Sequence, residues 1–133
     1  MRPSVLVSSK ADLLGFGMGE SVIVEIAHRL AKGESVRDLR DMRGVAYLLG
    51  KNDELPDPEQ ATVALPSFET VKADKVSFAE MTRGFHKATN AFNAKRITHP
   101  HGDRLLVITP PALPLTEPEM DRIYDLPYTR RPH

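Results

Sequence analysis

The 133-residue chain contains no cysteine. This excludes disulfides, thiolate nucleophiles, cysteine-ligated zinc and any iron–sulfur cluster held by its own side chains. Tryptophan is absent as well, and at 6% aromatic residues the chain offers few platforms on which bases stack. Neither sign of charge is in excess, because 18 Lys and Arg face 18 Asp and Glu, and no segment forms the basic stripe that phosphate backbones require. Nucleic acid is therefore not an expected partner. Long apolar runs are missing too. The longest, Val45–Leu49, falls far short of the roughly 20 residues of a membrane span. Behind Met1-Arg2-Pro3-Ser4 the apolar stretch Val5–Val7 is too short for a secretory h-region of about seven residues or more. No membrane and a cytoplasmic location are expected. With 41% hydrophobic and 27% charged residues, the composition is that of a chain that buries a core.

Ser4–Val7 and Ala11–Phe16 are short apolar runs that read as strands. Beyond the glycines, Val22, Ile23, Ile26, Ala27, Leu30 and Ala31 recur at spacings of three and four, which predicts a helix over Ser21–Lys32 ended by Gly33. Ser35 and Asp38 have the spacing of a cap for a short helix carrying Leu39 and Met42, and Val45–Leu49 follows as a strand. Residues 51–61, with Pro56 and Pro58, read as a linker. Thr62–Leu65 is a further strand. Phe78, Met81, Phe85, Ala88 and Phe92 predict one apolar face on a helix over Lys75–Thr89, with Asp74 as its N-cap. Arg104–Thr109 is a strand that Arg96–Thr98 pairs with across a long turn at His99–Gly102. A short helix with Met120, Ile123 and Tyr124 lies within a stretch holding seven of the eleven prolines, Pro100–Pro132, which reads as an extended segment. Helices alternating with strands predict an α/β fold: a partial, open, largely parallel sheet with flanking helices and an extended proline-rich C-terminal segment.

Two segments carry residues suited to ligands. Gly15, Gly17, Gly19 and Glu20 lie between a predicted strand and a predicted helix, where backbone N–H groups receive anions. The third glycine comes two residues after the second instead of three, so the dinucleotide fingerprint is not met, and a tight strand-to-helix turn explains the glycines equally. In an open α/β fold such a turn faces a ligand or interdomain crevice. His99 and His101, with Asp103 as a third donor, have the residue types of a metal site, but Pro100 and Gly102 also explain the segment as a turn. No nucleophile elbow, carboxylate pair or buried lysine stands out, so no catalytic residue and no metal ligand is assigned.

Multi-residue words then become informative. Ser4-Val5-Leu6-Val7, Ser9-Lys10-Ala11-Asp12, Phe16-Gly17, Gly19-Glu20 and Ala27-His28-Arg29-Leu30-Ala31 are followed in order by Leu65-Pro66-Ser67-Phe68-Glu69, His101-Gly102-Asp103-Arg104, Pro110-Pro111-Ala112, Glu119-Met120-Asp121, Leu126-Pro127-Tyr128 and Pro132-His133. In this colinear set the chain resembles the YgiQ-type radical SAM proteins. Where that family commonly reads Glu-Thr-Asn-Pro, this chain has Ala88-Thr89-Asn90-Ala91. The resemblance implies an internal fragment of an iron–sulfur oxidoreductase. Residues 1–50 would close an N-terminal Rossmann-like domain similar to cobalamin-binding domains, 51–61 would link, and 62–133 would connect to a catalytic barrel. That barrel would carry the 4Fe-4S cluster and use S-adenosylmethionine, with its cysteines beyond His133. No cofactor would reside in the fragment itself. The implied partner is the rest of the parent chain, and the cut domain edge implies a second copy of the fragment as another. A free-standing α/β interaction or small-anion-binding module is the alternative.

Overall fold

The computed structural model describes residues 2–129 and residue 131; the final word Pro132-His133 and the first residue, Met1, lie outside them. Five helices and five strands follow in the order α1 (Val5–Ser9), β1 (Leu14–Gly15), α2 (Glu20–Ala31), β2 (Val45–Leu49), β3 (Thr62–Ala64), α3 (Phe68–Ala73), α4 (Lys75–Lys87), β4 (Arg96–His101), β5 (Arg104–Ile108) and α5 (Glu117–Tyr124). A 3-10 turn at Asp38–Asp41 precedes β2. The strands form one open sheet in the order β1-β2-β5-β4-β3.

The fold is α/β, but the sheet is mixed and not largely parallel. Three of its four pairings are antiparallel, and only β3 with β4 runs parallel. The reason lies in the partner of β2. Instead of receiving a neighbour through a crossover helix, β2 takes β5 from the distant hairpin, with Ala46 opposite Ile108 and Leu49 opposite Leu105. Strands from residues 1–50 and from residues 62–133 thus share one sheet, and 51–61 is the connection between β2 and β3. Likewise, the Ser4–Val7 run is not a strand. Ser4 sits at an N-cap position with extended backbone, Val5–Ser9 coils, and Lys10 closes the helix in the left-handed region at φ 57°. Leu6 is thereby pressed onto the sheet beside Ala46 and Leu106. The Ala11–Phe16 strand shrinks to Leu14–Gly15.

The hairpin is tighter than its sequence suggests. His99, Pro100 and His101 all belong to β4, and the turn is the two residues Gly102-Asp103, with Gly102 at φ 60° as a type II′ turn requires at its first position. Pro100 is accommodated because β3 pairs only with Arg96–Thr98, leaving β4 beyond it without a neighbour on that side.

One face of the sheet packs Val45 against Val22, Leu39 and Met42, and Tyr47, Leu49 and Val107 against Leu55. The other packs Ile97 against Leu65 and Ala88, with Met81 beside them. The apolar face expected on α4 divides: Met81, Gly84 and Ala88 lie toward the sheet, whereas Phe78, Phe85 and Phe92 remain exposed. Similarly, α2 buries Val22 and half-buries Ile26, while Ile23, Ala27, Leu30 and Ala31 face outward. After β5 the chain runs without regular structure through residues 109–116, pinned where Gly44 N–H donates to Pro110 O and the Arg43 guanidinium donates to Pro111 O. The expected extended proline-rich stretch is interrupted by α5, whose capping box joins Thr116 and Glu119 and which takes Pro118 near its start. Among the described residues no helix is long and apolar enough to cross a membrane.

Candidate functional site

The turn from β1 into α2 is held at its base and open at its tip. Phe16 N–H donates to Gly44 O at 2.9 Å, and a Cβ on Gly15 would meet Val22 at 3.6 Å. Gly17 takes φ 77°, and neither it nor Gly19 has another group within 4 Å of where a Cβ would stand. Gly19 caps α2 without a side chain, and Glu20 opens the helix. Because β1 is an antiparallel edge strand, the turn does not lie at the carboxyl end of a parallel sheet.

Of the four residues Gly15, Gly17, Gly19 and Glu20, only Glu20 borders a groove of about 720 Å³ between α2 and α5. Its walls alternate in charge, with Glu20, Glu25, Glu34 and Glu119 set among His28, Arg29, Lys32 and Arg122 over Val24, Leu115 and Ile123. Arg29 organises one end. Its guanidinium reaches Glu34 at 2.6 Å and Asp41 at 2.7 Å and donates to Asp38 O at 3.0 Å, which raises its already high pKa through the bond to Glu34 first and to Asp41 second. That knot closes the loop after α2 onto the 3-10 turn. Asp38 itself accepts from Ser35 N–H at 2.8 Å and Ser35 Oγ at 2.7 Å, and these bonds hold its carboxyl below the usual range.

His99 and His101 are brought together by the two-residue period of β4, with ring centroids 4.6 Å apart. Both are buried, and His101 stacks on Phe68 of α3 at 5.0 Å. The Nε2 atoms of both rings lack a hydrogen-bond partner. Burial lowers both pKa values. At His99 the neighbouring His101 adds to the lowering, at His101 Arg104 does, and Glu69 opposes it at both. The Glu69 carboxylate is engaged in turn by Gly102 N–H at 3.1 Å. Asp103 is exposed in the hairpin turn, and among the described residues no three His, Cys, Asp or Glu side chains gather as around a metal ion.

A third locus escaped sequence reasoning altogether. Lys10, Arg37, Arg40 and Arg104 converge on a cavity of about 390 Å³ that also touches Asp12. They come from three separate places in the chain, Arg37 and Arg40 from one 3-10 turn, and a net charge of zero gave no hint of their meeting.

An open mixed five-stranded sheet with an aliphatic core and helices on its faces defines an α/β scaffold. The Radical SAM N-terminal family matches residues 1–133, the whole chain, and the protein belongs to that family. A UPF0313 protein of Rhodopseudomonas palustris is 42% identical over 149 aligned residues covering 100% of this chain and 22% of the relative. The UPF0313 protein YgiQ of Escherichia coli is 38% identical over 184 aligned residues, covering 100% of this chain and 25% of the relative. A UPF0313 protein of Methanocella arvoryzae is 41% identical over 133 residues, covering 100% of this chain and 22% of the relative. The chain thus spans about a quarter of the length of the curated relatives it matches. No solved structure matches it.

Radical SAM family membership implies a 4Fe-4S cluster and S-adenosylmethionine for a parent protein. The donor set of this chain does not fit the cluster, because the thiolates that hold such a cluster are missing from all 133 residues.

Proposed function

We propose that this chain is a non-catalytic, accessory segment of a radical SAM, iron–sulfur-dependent oxidoreductase, one that faces the catalytic barrel or its substrate and does not perform the radical chemistry itself. The observation that carries the reading is the match of the Radical SAM N-terminal family over the whole of a chain that has no cysteine. In this reading residues 1–50 end a Rossmann-like domain, residues 62–133 lead toward the barrel, and the Gly15, Gly17, Gly19 and Glu20 turn faces a ligand or interdomain crevice. Two features support it. The turn is open at Gly17 and Gly19, and apolar side chains stand exposed on both faces of the sheet, Ile23 at 62% and Val24 at 52% on α2, Phe78 at 48% on α4 and Phe92 at 80% beyond it, area available to further protein.

Iron analysis after anaerobic reconstitution tests the reading on two proteins in parallel: the 133-residue chain, and a longer product that carries these residues together with a three-cysteine motif. The longer product is expected to hold a cluster and cleave S-adenosylmethionine, and the chain is expected to retain no stoichiometric iron. Site-bound iron in the chain, or a longer product that binds neither, overturns it.

A further inference from the structure

We propose that the cavity enclosed by Lys10, Asp12, Arg37, Arg40 and Arg104 binds a small phosphorylated metabolite, with the cations on its phosphate and Asp12 accepting from a hydroxyl of its body. At about 390 Å³ the cavity falls in the range of small-molecule sites. Four cations face one carboxylate there.

Local carboxylates do not compensate this charge. Asp38 and Asp41 share the 3-10 turn with Arg37 and Arg40, yet both are engaged elsewhere: Asp38 by Ser35 and Asp41 by Arg29. Among the described residues Lys10, Arg37 and Arg104 make no side-chain hydrogen bond or ion pair. Arg40 is held in advance, its guanidinium 5.0 Å over the Tyr47 ring and donating to Leu48 O at 3.4 Å. Planar guanidinium groups offer paired donors that match phosphate oxygens, and donors already in place lose little freedom on binding.

The position follows from the sheet. β1 covers only Val45 and Ala46 of β2, so the rest of that edge, through Leu48 to Gly50, is left to the cavity. Lys10 reaches it from the end of α1, where the left-handed backbone turns the chain back toward β1. Arg104 reaches it from the start of β5, beside the Gly102-Asp103 turn. The same phosphate is thereby met from two ends of the chain.

Calorimetric titration of the chain with inorganic pyrophosphate and with ribose 5-phosphate, at low salt, tests the assignment. One saturable site per chain is expected, weakened about tenfold by Arg37→Gln and by Arg104→Gln, and weakened by added salt. Lys10→Gly removes the ammonium while suiting the left-handed backbone, so its loss of affinity separates charge from folding. Circular dichroism confirms that each variant is folded. If Asp12 receives a hydroxyl, Asp12→Asn weakens ribose 5-phosphate but not pyrophosphate. Titrations that do not saturate, or that all three cation variants leave unchanged, overturn the proposal.

Discussion

Acidification from pH 7 to pH 5.5 should destabilise this fold through two particular side chains. His99 and His101 are 7% and 8% exposed, and both have an unpartnered Nε2. Their pKa values are lowered, chiefly by burial, so the native state keeps both neutral in a range where the unfolded chain, with histidines near the ordinary value of about 6.5, already takes up protons. Below that value the unfolded state binds more protons, and stability falls as pH falls. The loss levels off once the folded histidines titrate in their turn. A neutral buried imidazole loses at most about 1.4 kcal/mol per pH unit in this window, so the two together lose no more than about 2.5 kcal/mol between pH 7 and pH 5.5. Carboxylates held low by hydrogen bonds, such as Asp74 and Glu119, lose their contribution only at more acid pH, which keeps the window specific. Urea unfolding at intervals of half a pH unit measures the slope. The His99→Leu/His101→Leu variant should flatten it while remaining folded at neutral pH. An unchanged slope in that variant, or no slope in the parent between pH 7 and pH 5.5, refutes the reasoning.

Gly44 sits at φ 73°, and a Cβ there would stand 3.0 Å from Val22 and 3.3 Å from Ala112. Gly44→Ala is therefore expected to cost about 2–4 kcal/mol in thermal unfolding, and a cost below about 1 kcal/mol contradicts the crowding. The buried Arg96 guanidinium donates to Pro56 O, to Asp57 O at 3.1 Å and to Thr62 Oγ1 at 3.0 Å. Arg96→Leu should cost about 3–5 kcal/mol and speed amide exchange across residues 51–61, whereas unchanged exchange there means that the connection is not pinned by this side chain. Asp74 caps α4 by accepting from Ser77 N–H at 2.7 Å. Asp74→Ala should cost about 1 kcal/mol in urea unfolding, and no measurable loss removes the cap from the account.

Local signals were legible in the sequence where they were self-contained. The three- and four-residue spacing from Val22, with Gly33 at φ 91° behind it, placed α2 within a residue at each end, and Asp74 announced α4. Val45–Leu49 and the Arg104 strand are β-branched and leucine-rich runs that nothing else in the chain competes to form. The failures have a common cause, which is that they depend on distant partners. Ser4-Val5-Leu6-Val7 has strand composition, yet one side chain, Leu6, finds its place on the sheet as part of a helix. The short α3 went unread although Ser67 caps it through Thr70 N–H, because six residues leave too little periodicity. Strand direction was misread since alternation of elements says nothing about a pairing made half a chain away. At the candidate site, His99 and His101 stood out by residue type alone; the sequence placed them in a turn, and the strand that sets their rings on one face was missed. The cluster of Lys10, Arg37, Arg40 and Arg104 was invisible because no spacing in sequence encodes it.

The pairing of β2 with β5 also fixes an order of events during synthesis. Ala46 waits for Ile108, roughly 60 residues further on, while β4 and β5 are separated by two residues and close on their own. At about 5–20 residues per second on the ribosome, the apolar run Val45–Leu49 spends several seconds with only Leu14-Gly15 to pair with. The hairpin then supplies the edge onto which β2 pairs, and a nascent chain released before Arg104 carries an unpaired strand of the kind that chaperones retain and aggregates recruit.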